Sequence, residues 1–105
     1  MNIASYIDHT ILKPTTTLPD IEKLCEEARQ YHFAAVCVPP PYIKFSRQLL
    51  AGSSVKVATV IGFPFGYSAM EAKIAEIISA TAEGTDELDM VVNITAIYNE
   101  DWNYL

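Results

Sequence analysis

Basic residues, cysteines and glycines are all scarce in this sequence, and each shortage argues against a class of protein. Seven Lys and Arg stand against 13 Asp and Glu, which gives a net charge of −6. An acidic surface repels phosphate backbones, so we expect no nucleic acid partner. The two cysteines, Cys25 and Cys37, fit neither a disulfide framework nor a zinc motif. No G-x-G-x-x-G follows a first strand, which argues against a dinucleotide-binding protein.

Long apolar runs are also missing. No segment approaches the roughly 20 apolar residues that a membrane helix needs, so we expect no membrane partner. Residues 1–5 carry no basic group and no apolar core, and therefore do not resemble a signal peptide. We expect a cytoplasmic location. Of the 105 residues, 50% are hydrophobic and 19% charged, which is typical of one folded domain.

Strand-like and helix-like segments alternate along the chain. Apolar residues at helical spacing predict one helix over about Leu18–Tyr31, one from Pro41 to before Gly52, and one from Ser68 to before Gly84. Short apolar runs predict strands within 33–38, 55–61 and 87–93, and residues 6–12 fit either a short helical turn or a strand. The third helix is expected to bury a stripe formed by Ile74, Ile77, Ile78 and Thr81. The pair Asp101-Trp102 indicates the opening of a further helix.

The helix starts carry their own signal. Thr17 and Ser68 each begin the Ser/Thr-x-x-acid pattern of a capping box, with Asp20 and Glu71 as the acids. Strands that alternate with helices predict an α/β fold with a parallel sheet and right-handed crossovers. At this level either an open doubly wound sheet or part of a closed barrel fits, and so does a small α/β domain with no active site.

The fourth strand favours the barrel. Its alternate residues Leu88, Met90 and Val92 form an aliphatic face, whereas Glu87, Asp89, Val91 and Asn93 form the opposite one. A polar face opposite a helix-covered face suits the lumen of a barrel, because helices cover both faces of a doubly wound sheet. We therefore expect four parallel strands alternating with helices, as in part of a closed barrel, with Thr59 and Val91 also facing the lumen.

Asp89 is the main candidate for catalysis. A buried carboxylate needs a cation or hydrogen-bond donors, so Asp89 either reacts or ties down a loop, and its position alone does not choose between them. Asp8 and Thr10 share one face of the first strand and pose the same question, with helix capping the simpler role for Asp8. His9 faces the other way and is expected to be structural.

Two further features have competing interpretations. Cys37 on the second strand is either a reactive thiol or a small buried hydrophobe, and its position favours the second. The loop Gly62–Gly66 follows the third strand, at the end where barrel enzymes carry their active sites, but it also fits a turn made rigid by Pro64.

Four segments together resemble the deoxyribose-phosphate aldolase family. They are Ile7–Pro14, Val36–Val38 with Tyr42, Val55–Pro64, and Gly84–Ile94. The resemblance implies a TIM barrel that uses no metal or other cofactor. It implies cleavage of 2-deoxy-D-ribose 5-phosphate to acetaldehyde and D-glyceraldehyde 3-phosphate through a lysine Schiff base. It also implies that Asp89 takes part in proton transfer and that Asp8 belongs to the same relay. Cys37 and Thr10 are then expected near the phosphorylated sugar.

The resemblance also implies which parts of the barrel these residues represent. Residues 1–105 correspond to strands one to four, whereas the family carries its Schiff-base lysine on strand six, an activating lysine on strand seven, and phosphate-binding loops after strands seven and eight. We therefore expect a truncated aldolase, inactive alone, in which Lys13 is the one candidate substitute lysine. Open sheet edges predict a homo-oligomer. A non-catalytic, self-assembling half-barrel or small-ligand binding module is the alternative.

Overall fold

One four-stranded sheet organises the chain. The computed structural model describes residues 2–105. Its strands are β1 (Asp8–Thr10), β2 (Ala35–Val38), β3 (Lys56–Ile61) and β4 (Glu87–Met90). Its helices are α1 (Leu18–Tyr31), α2 (Ile43–Leu49), α3 (Met70–Glu83) and α4 (Ile94–Tyr98), with single 3-10 turns at Ile3–Tyr6 and Pro40–Tyr42. Within residues 2–105, no helix has the length and apolar character that a bilayer crossing requires.

The strand order decides between the two architectures left open by the sequence. The order is β1-β2-β3-β4, and every neighbouring pair is parallel. Right-handed crossovers between strands that follow one another in this way place the crossover helices α1, α2 and α3 on one face. A doubly wound sheet would reverse its strand order and cover both faces. The expected half-barrel arrangement of alternating strands and helices is therefore confirmed.

The hydrophobic core lies between the sheet and this single helical layer. Fully buried Ile21 of α1 and Ile43 of α2 pack with Val36, Val57 and Ile61 of the strands. Burial of each such side chain contributes about 1.5–3 kcal/mol. The core thus fixes which face of each strand points to the helices, and alternate residues must face the other way.

Helix α1 has the bounds that its sequence predicts, because both of its ends carry local signals. The Thr17 side chain accepts from the Asp20 backbone N–H, and Asp20 accepts from the Thr17 backbone N–H. Pro19 lies in the first turn, where a missing N–H leaves no bond unmade. At the other end His32 adopts a left-handed conformation with φ 57°, and its N–H bonds the Ala28 carbonyl.

The prediction for α3 is wrong in two respects. Ser68 does not cap the helix, because the cap position is Ala69, which makes no side-chain bond. The buried stripe is also incomplete: Ala80 is buried and Ile77 packs on the core, whereas Ile74, Ile78 and Thr81 are exposed. The reason is that α3 packs against β3 and α2, while β4 beyond it is the edge of the sheet.

The fourth strand is shorter than predicted. It ends at Met90, because Asn93 caps α4 by accepting from the Ala96 N–H at 3.1 Å. The apolar run that continues through Val92 suggested a longer strand. Asp101 and Trp102 do not open a helix, since residues 102–104 form a turn after α4 has ended.

Candidate active site

The face of the sheet opposite the helices carries the candidate residues, and we call it the open face. Across it the register places Thr10 beside Cys37 and Cys37 beside Ala58, while Val60 pairs with Asp89. Cys37, Ala58 and Val60 form a small apolar cluster with Leu12, separate from the main core. Asp89 therefore points to the open face and not beneath the helices.

Asp89 meets Cys37 across β3. The Cys37 thiol donates toward Asp89 Oδ2 with an S···O distance of 3.8 Å. The small side chain of Ala58 on the strand between them leaves room for this contact. The expectation that Asp89 is buried is wrong, because its side chain is exposed. It lies on an edge strand, and no second layer covers the open face within residues 2–105.

Cys37 is a buried neutral thiol. Burial raises its pKa to about 12, and the negative charges of Asp89, Asp8 and Glu87 act in the same direction. A thiol with such a pKa stays protonated at neutral pH, and the thiolate is the nucleophilic form. Cys37 is therefore a hydrogen-bond donor on this face and a poor nucleophile, which agrees with its interpretation as a small buried residue.

The candidates of β1 lie on the same face but make no direct contact with Asp89. Asp8 is exposed. The Thr10 hydroxyl donates to the Asp8 backbone carbonyl at 2.9 Å. His9 points to the helical side as expected, with Nε2 3.1 Å from Glu27 and its ring 5.1 Å from that of Phe33. The structure thus brings Cys37 and Asp89 together and leaves Asp8 and Thr10 at the rim.

Thr59 does not face the lumen, contrary to expectation. It is fully buried on the helical side, where its hydroxyl donates to the Val38 carbonyl at 2.8 Å. Residues 57, 59 and 61 share one face of β3, and the aliphatic neighbours Val57 and Ile61 belong to the main core. A buried threonine can share this face because a backbone carbonyl satisfies its hydroxyl.

The loop Gly62–Gly66 rests on the end of β4. The Gly66 N–H donates to the Gly62 carbonyl at 2.7 Å, which closes the loop. Gly66 is buried with φ +71°, and a Cβ there would lie 1.9 Å from the Val92 carbonyl oxygen. The loop therefore lies directly beyond Asp89, at the carboxyl ends of the strands.

Two charged residues of α3 that the sequence did not single out hold this strand end. Lys73 Nζ donates to the Val91 carbonyl at 2.9 Å, and Glu76 Oε1 accepts from the Gly62 N–H at 3.0 Å. The sequence shows only that the two side chains are three residues apart and so share a side of the helix. Nothing local indicates that this side faces the strand ends.

None of the five lysines forms an ion pair with an acid of the open face within residues 2–105. Within residues 2–105 the salt bridges are His9 with Glu27 and Arg47 with Asp86. Lys13 lies near the start of α1, where hydrogen bonds from Thr17 lower the pKa of Asp20 and the charge of Lys13 lowers it further. In the same part of the chain, no group of three metal-ligating side chains converges on one point.

Comparison with known proteins places this geometry in a family. The model of the DeoC/LacD family aldolases matches residues 2–104. The chain belongs to this family. A deoxyribose-phosphate aldolase of Brevibacillus brevis is 54% identical over 101 residues, which cover 96% of the chain and 46% of that relative. One of Caldanaerobacter subterraneus is 45% identical over 105 residues, again 46% of the relative. The chain thus spans about half the length of these DeoC/LacD relatives.

Solved structures of DeoC/LacD-type aldolases share the fold. A Coccidioides immitis protein assigned to the deoxyribose-phosphate aldolases superposes with a TM-score of 0.94 at 40% identity, covering 98% of this chain and 41% of that one. The deoxyribose phosphate aldolase of Aeropyrum pernix, described as tetrameric, gives 0.82 at 35% identity over 93% of this chain and 44% of that one. The half-barrel described above corresponds to a part of those barrels.

Proposed function

We propose that residues 1–105 are the N-terminal half of a deoxyribose-phosphate aldolase barrel and contribute the side chains that transfer protons during its reaction. The observation that carries this proposal is the position of Asp89. Its carboxylate lies on the open face, next to the glycine-flanked loop, and the Cys37 thiol donates toward it at 3.8 Å. Residues at the carboxyl ends of barrel strands carry the chemistry in enzymes of this fold.

The chemistry of aldol cleavage assigns Asp89 its task. In an aldolase that forms a lysine Schiff base with C1 of 2-deoxy-D-ribose 5-phosphate, the C3 hydroxyl loses a proton as the C2–C3 bond breaks. D-Glyceraldehyde 3-phosphate leaves, and the remaining enamine takes up a proton at C2 before hydrolysis releases acetaldehyde. The Asp89 carboxylate lies near the carboxyl end of β4, where barrel enzymes carry their reacting groups, so we assign both proton transfers to it. Cys37 orients the carboxylate by its hydrogen bond, and Asp8 adds negative charge at the rim.

We further propose that the Schiff-base lysine comes from outside these residues. Such a lysine must lie at the carboxyl ends of the strands. Lys56 begins β3, so it lies at the amino end. Lys73 Nζ is engaged by the Val91 carbonyl. Lys13, the candidate substitute, lines a groove on the helical side of the sheet together with Asp20 and Lys23, away from the open face. Lys44 lies on helix α2. The chain alone is then inactive and needs a complementing half.

Open edges support self-association as well. Within residues 2–105, β1 and β4 each have a strand neighbour on one side only, so their outer backbone groups are open to pairing. Leu88, Met90 and Val92 on β4 and just after it are 39%, 57% and 50% exposed. We propose that the isolated chain forms homo-oligomers through these edges. Sedimentation of a monomer at micromolar concentration would contradict this.

The central test combines the chain with the C-terminal half of the Brevibacillus brevis relative. We expect acetaldehyde release from 2-deoxy-D-ribose 5-phosphate to require both halves. Asp89→Asn in this chain is expected to lower kcat by about 10²-fold or more, the usual contribution of general acid-base catalysis. Glu87→Gln is the matched control, because it removes a charge from the same face of the same strand but leaves the hydrogen bond between Cys37 and Asp89.

Borohydride reduction in the presence of substrate tests the origin of the lysine. Mass spectrometry is expected to find the reduced adduct on the C-terminal half and none on this chain. Full activity of Asp89→Asn in the complemented barrel would refute the role of Asp89. A stoichiometric adduct on the isolated chain would refute its dependence on a second half.

A further inference from the structure

The hydrogen-bond ladder between β3 and β4 ends in an unusual way. The Val91 N–H donates to the Ile61 carbonyl at 2.9 Å. In a regular parallel ladder the Val91 carbonyl would next accept from the backbone N–H of Phe63. The chain turns away at Gly62, where φ is +67°, and within residues 2–105 no backbone N–H takes that carbonyl. Lys73 Nζ takes it instead, at 2.9 Å.

The aliphatic part of the Lys73 side chain packs against Gly62, at the same end of β3. A Cβ on Gly62 would lie 2.8 Å from Lys73 Cε, so the stem occupies the space that the missing side chain leaves. One turn further along α3, Glu76 accepts from the Gly62 N–H at 3.0 Å. The two side chains therefore bind β3 and β4 where both strands end, and they come from a helix that is itself held on the sheet.

This tether matters because β4 is otherwise weakly held. Within residues 2–105, the four residues Glu87–Met90 are all exposed and β4 has a single strand partner. Short edge strands open locally at low free energy. Asp89 lies two residues before Val91, so displacement of this strand end moves its carboxylate away from Cys37.

We propose that Lys73 is a positioning residue for Asp89. By replacing the missing backbone donor to Val91, Lys73 keeps the end of β4 against β3 and the carboxylate of Asp89 against the Cys37 thiol. The relevance of this role for catalysis rests on the function proposed above for Asp89. The positioning itself is measurable without substrate.

Thiol alkylation of the folded 105-residue chain tests the proposal, with the other cysteine as an internal reference. Cys37 lies beneath Asp89, whereas Cys25 is buried in the main core between α1 and the sheet. Lys73→Met keeps the stem and removes the ammonium group. We expect iodoacetamide to modify Cys37 about fivefold faster in this variant, as for the loss of one hydrogen bond that limits local opening, with Cys25 unchanged.

Matched variants separate the ammonium group from general effects. Lys73→Arg keeps a donor for the Val91 carbonyl and is expected to restore most of the protection of Cys37. Lys44→Met removes an exposed lysine of α2 and is expected to change neither rate. Gly62→Ala is the second perturbation, because its methyl group would displace the Lys73 stem. Because Gly62 has φ +67°, the methyl group also strains the backbone, so the expected result is a higher ratio of Cys37 to Cys25 alkylation with the lysine still present.

The outcomes are distinct. Selective acceleration at Cys37, together with rescue by arginine, supports the positioning role. Equal acceleration at both cysteines, or no change at Cys37 in both Lys73→Met and Gly62→Ala, overturns it. Because the assay involves no turnover, its failure leaves the proton-transfer role of Asp89 standing. Conversely, an active Asp89→Asn barrel refutes that role without affecting the alkylation result.

Discussion

Replacing Gly66 with alanine is expected to destabilise the fold far more than the same change at Gly52. Both glycines have left-handed backbones, with φ of +71° and +82° respectively. Their surroundings differ. A methyl group on Gly66 would meet the Val92 carbonyl oxygen at 1.9 Å and its carbon at 2.6 Å, whereas on Gly52 it would meet nothing within 4 Å. The pair therefore separates backbone strain from steric overlap.

The magnitudes follow from these two contributions. A left-handed conformation costs a non-glycine residue about 1–2 kcal/mol. The reduced freedom of the unfolded chain offsets about 0.4–1 kcal/mol of this. Gly52→Ala should therefore lower the free energy of unfolding by about 1 kcal/mol. Gly66→Ala adds an overlap with a fixed backbone carbonyl, and overpacking of this kind costs about 1–3 kcal/mol more.

Urea and thermal unfolding of the two variants beside the parent measure the difference. In a domain of this size, about 1 kcal/mol shifts Tm by roughly 4–8 °C. Gly66→Ala should therefore melt clearly below Gly52→Ala. All measurements need the same protein concentration, because self-association would shift Tm. Equal losses of stability in the two variants would show that the loop Gly62–Gly66 does not pack tightly against the end of β4.

Substitutions at Cys37 and at the Asp86–Arg47 pair are each expected to change the free energy of unfolding in a stated direction. In the folded chain the pKa of Cys37 is about 12, against an ordinary 9.0. The neutral thiol therefore contributes its full stability to the fold below pH 9.0, and this contribution is lost as pH rises toward 12. Cys37→Ala should flatten this alkaline limb of the stability profile, and an unchanged limb would contradict the assignment. Asp86 accepts from Arg47 at 3.1 Å and from the buried Val57 N–H at 2.9 Å. Asp86→Ala should therefore cost about 1–3 kcal/mol and Arg47→Ala at most about 1 kcal/mol, as measured by urea unfolding. Equal losses of unfolding free energy in the two variants would contradict a larger role for the Asp86–Val57 hydrogen bond than for the Asp86–Arg47 ion pair.

The sequence predicts the fold well where the determining signals are local. Helix α1 follows from a capping box at Thr17 and from apolar residues at helical spacing, both contained in the helix itself. The face on which Asp89 lies follows from the alternation of side chains along a single strand. The end of β4 was missed because the apolar run through Val92 outweighed a second local signal, the capping side chain of Asn93.

Burial and contacts could not be predicted in the same way, because they depend on neighbouring elements. Asp89 was expected to be buried, yet exposure is set by what covers the open face and by its place on an edge strand. Its contact with Cys37 joins residues 52 positions apart and crosses a strand whose small Ala58 leaves the space. Lys73 acquires its role only because the chain turns at Gly62 and leaves a carbonyl of the next strand without its usual donor.

The electrostatics of the open face connects the fold to the proposed chemistry. Asp8, Glu87 and Asp89 all act on Cys37 as negative charges, and none of them takes part in a salt bridge within residues 2–105. Burial and the charges of these acids together raise the pKa of Cys37 and keep its thiol neutral, so nucleophilic chemistry by this cysteine is disfavoured. Proton transfer alone does not break a carbon–carbon bond, since the electrons released need an acceptor such as a protonated imine. In the function proposed above, this acidic face, whose carboxylates have no ion-pair partner within residues 2–105, is complementary to a lysine from the opposite side of a closed barrel.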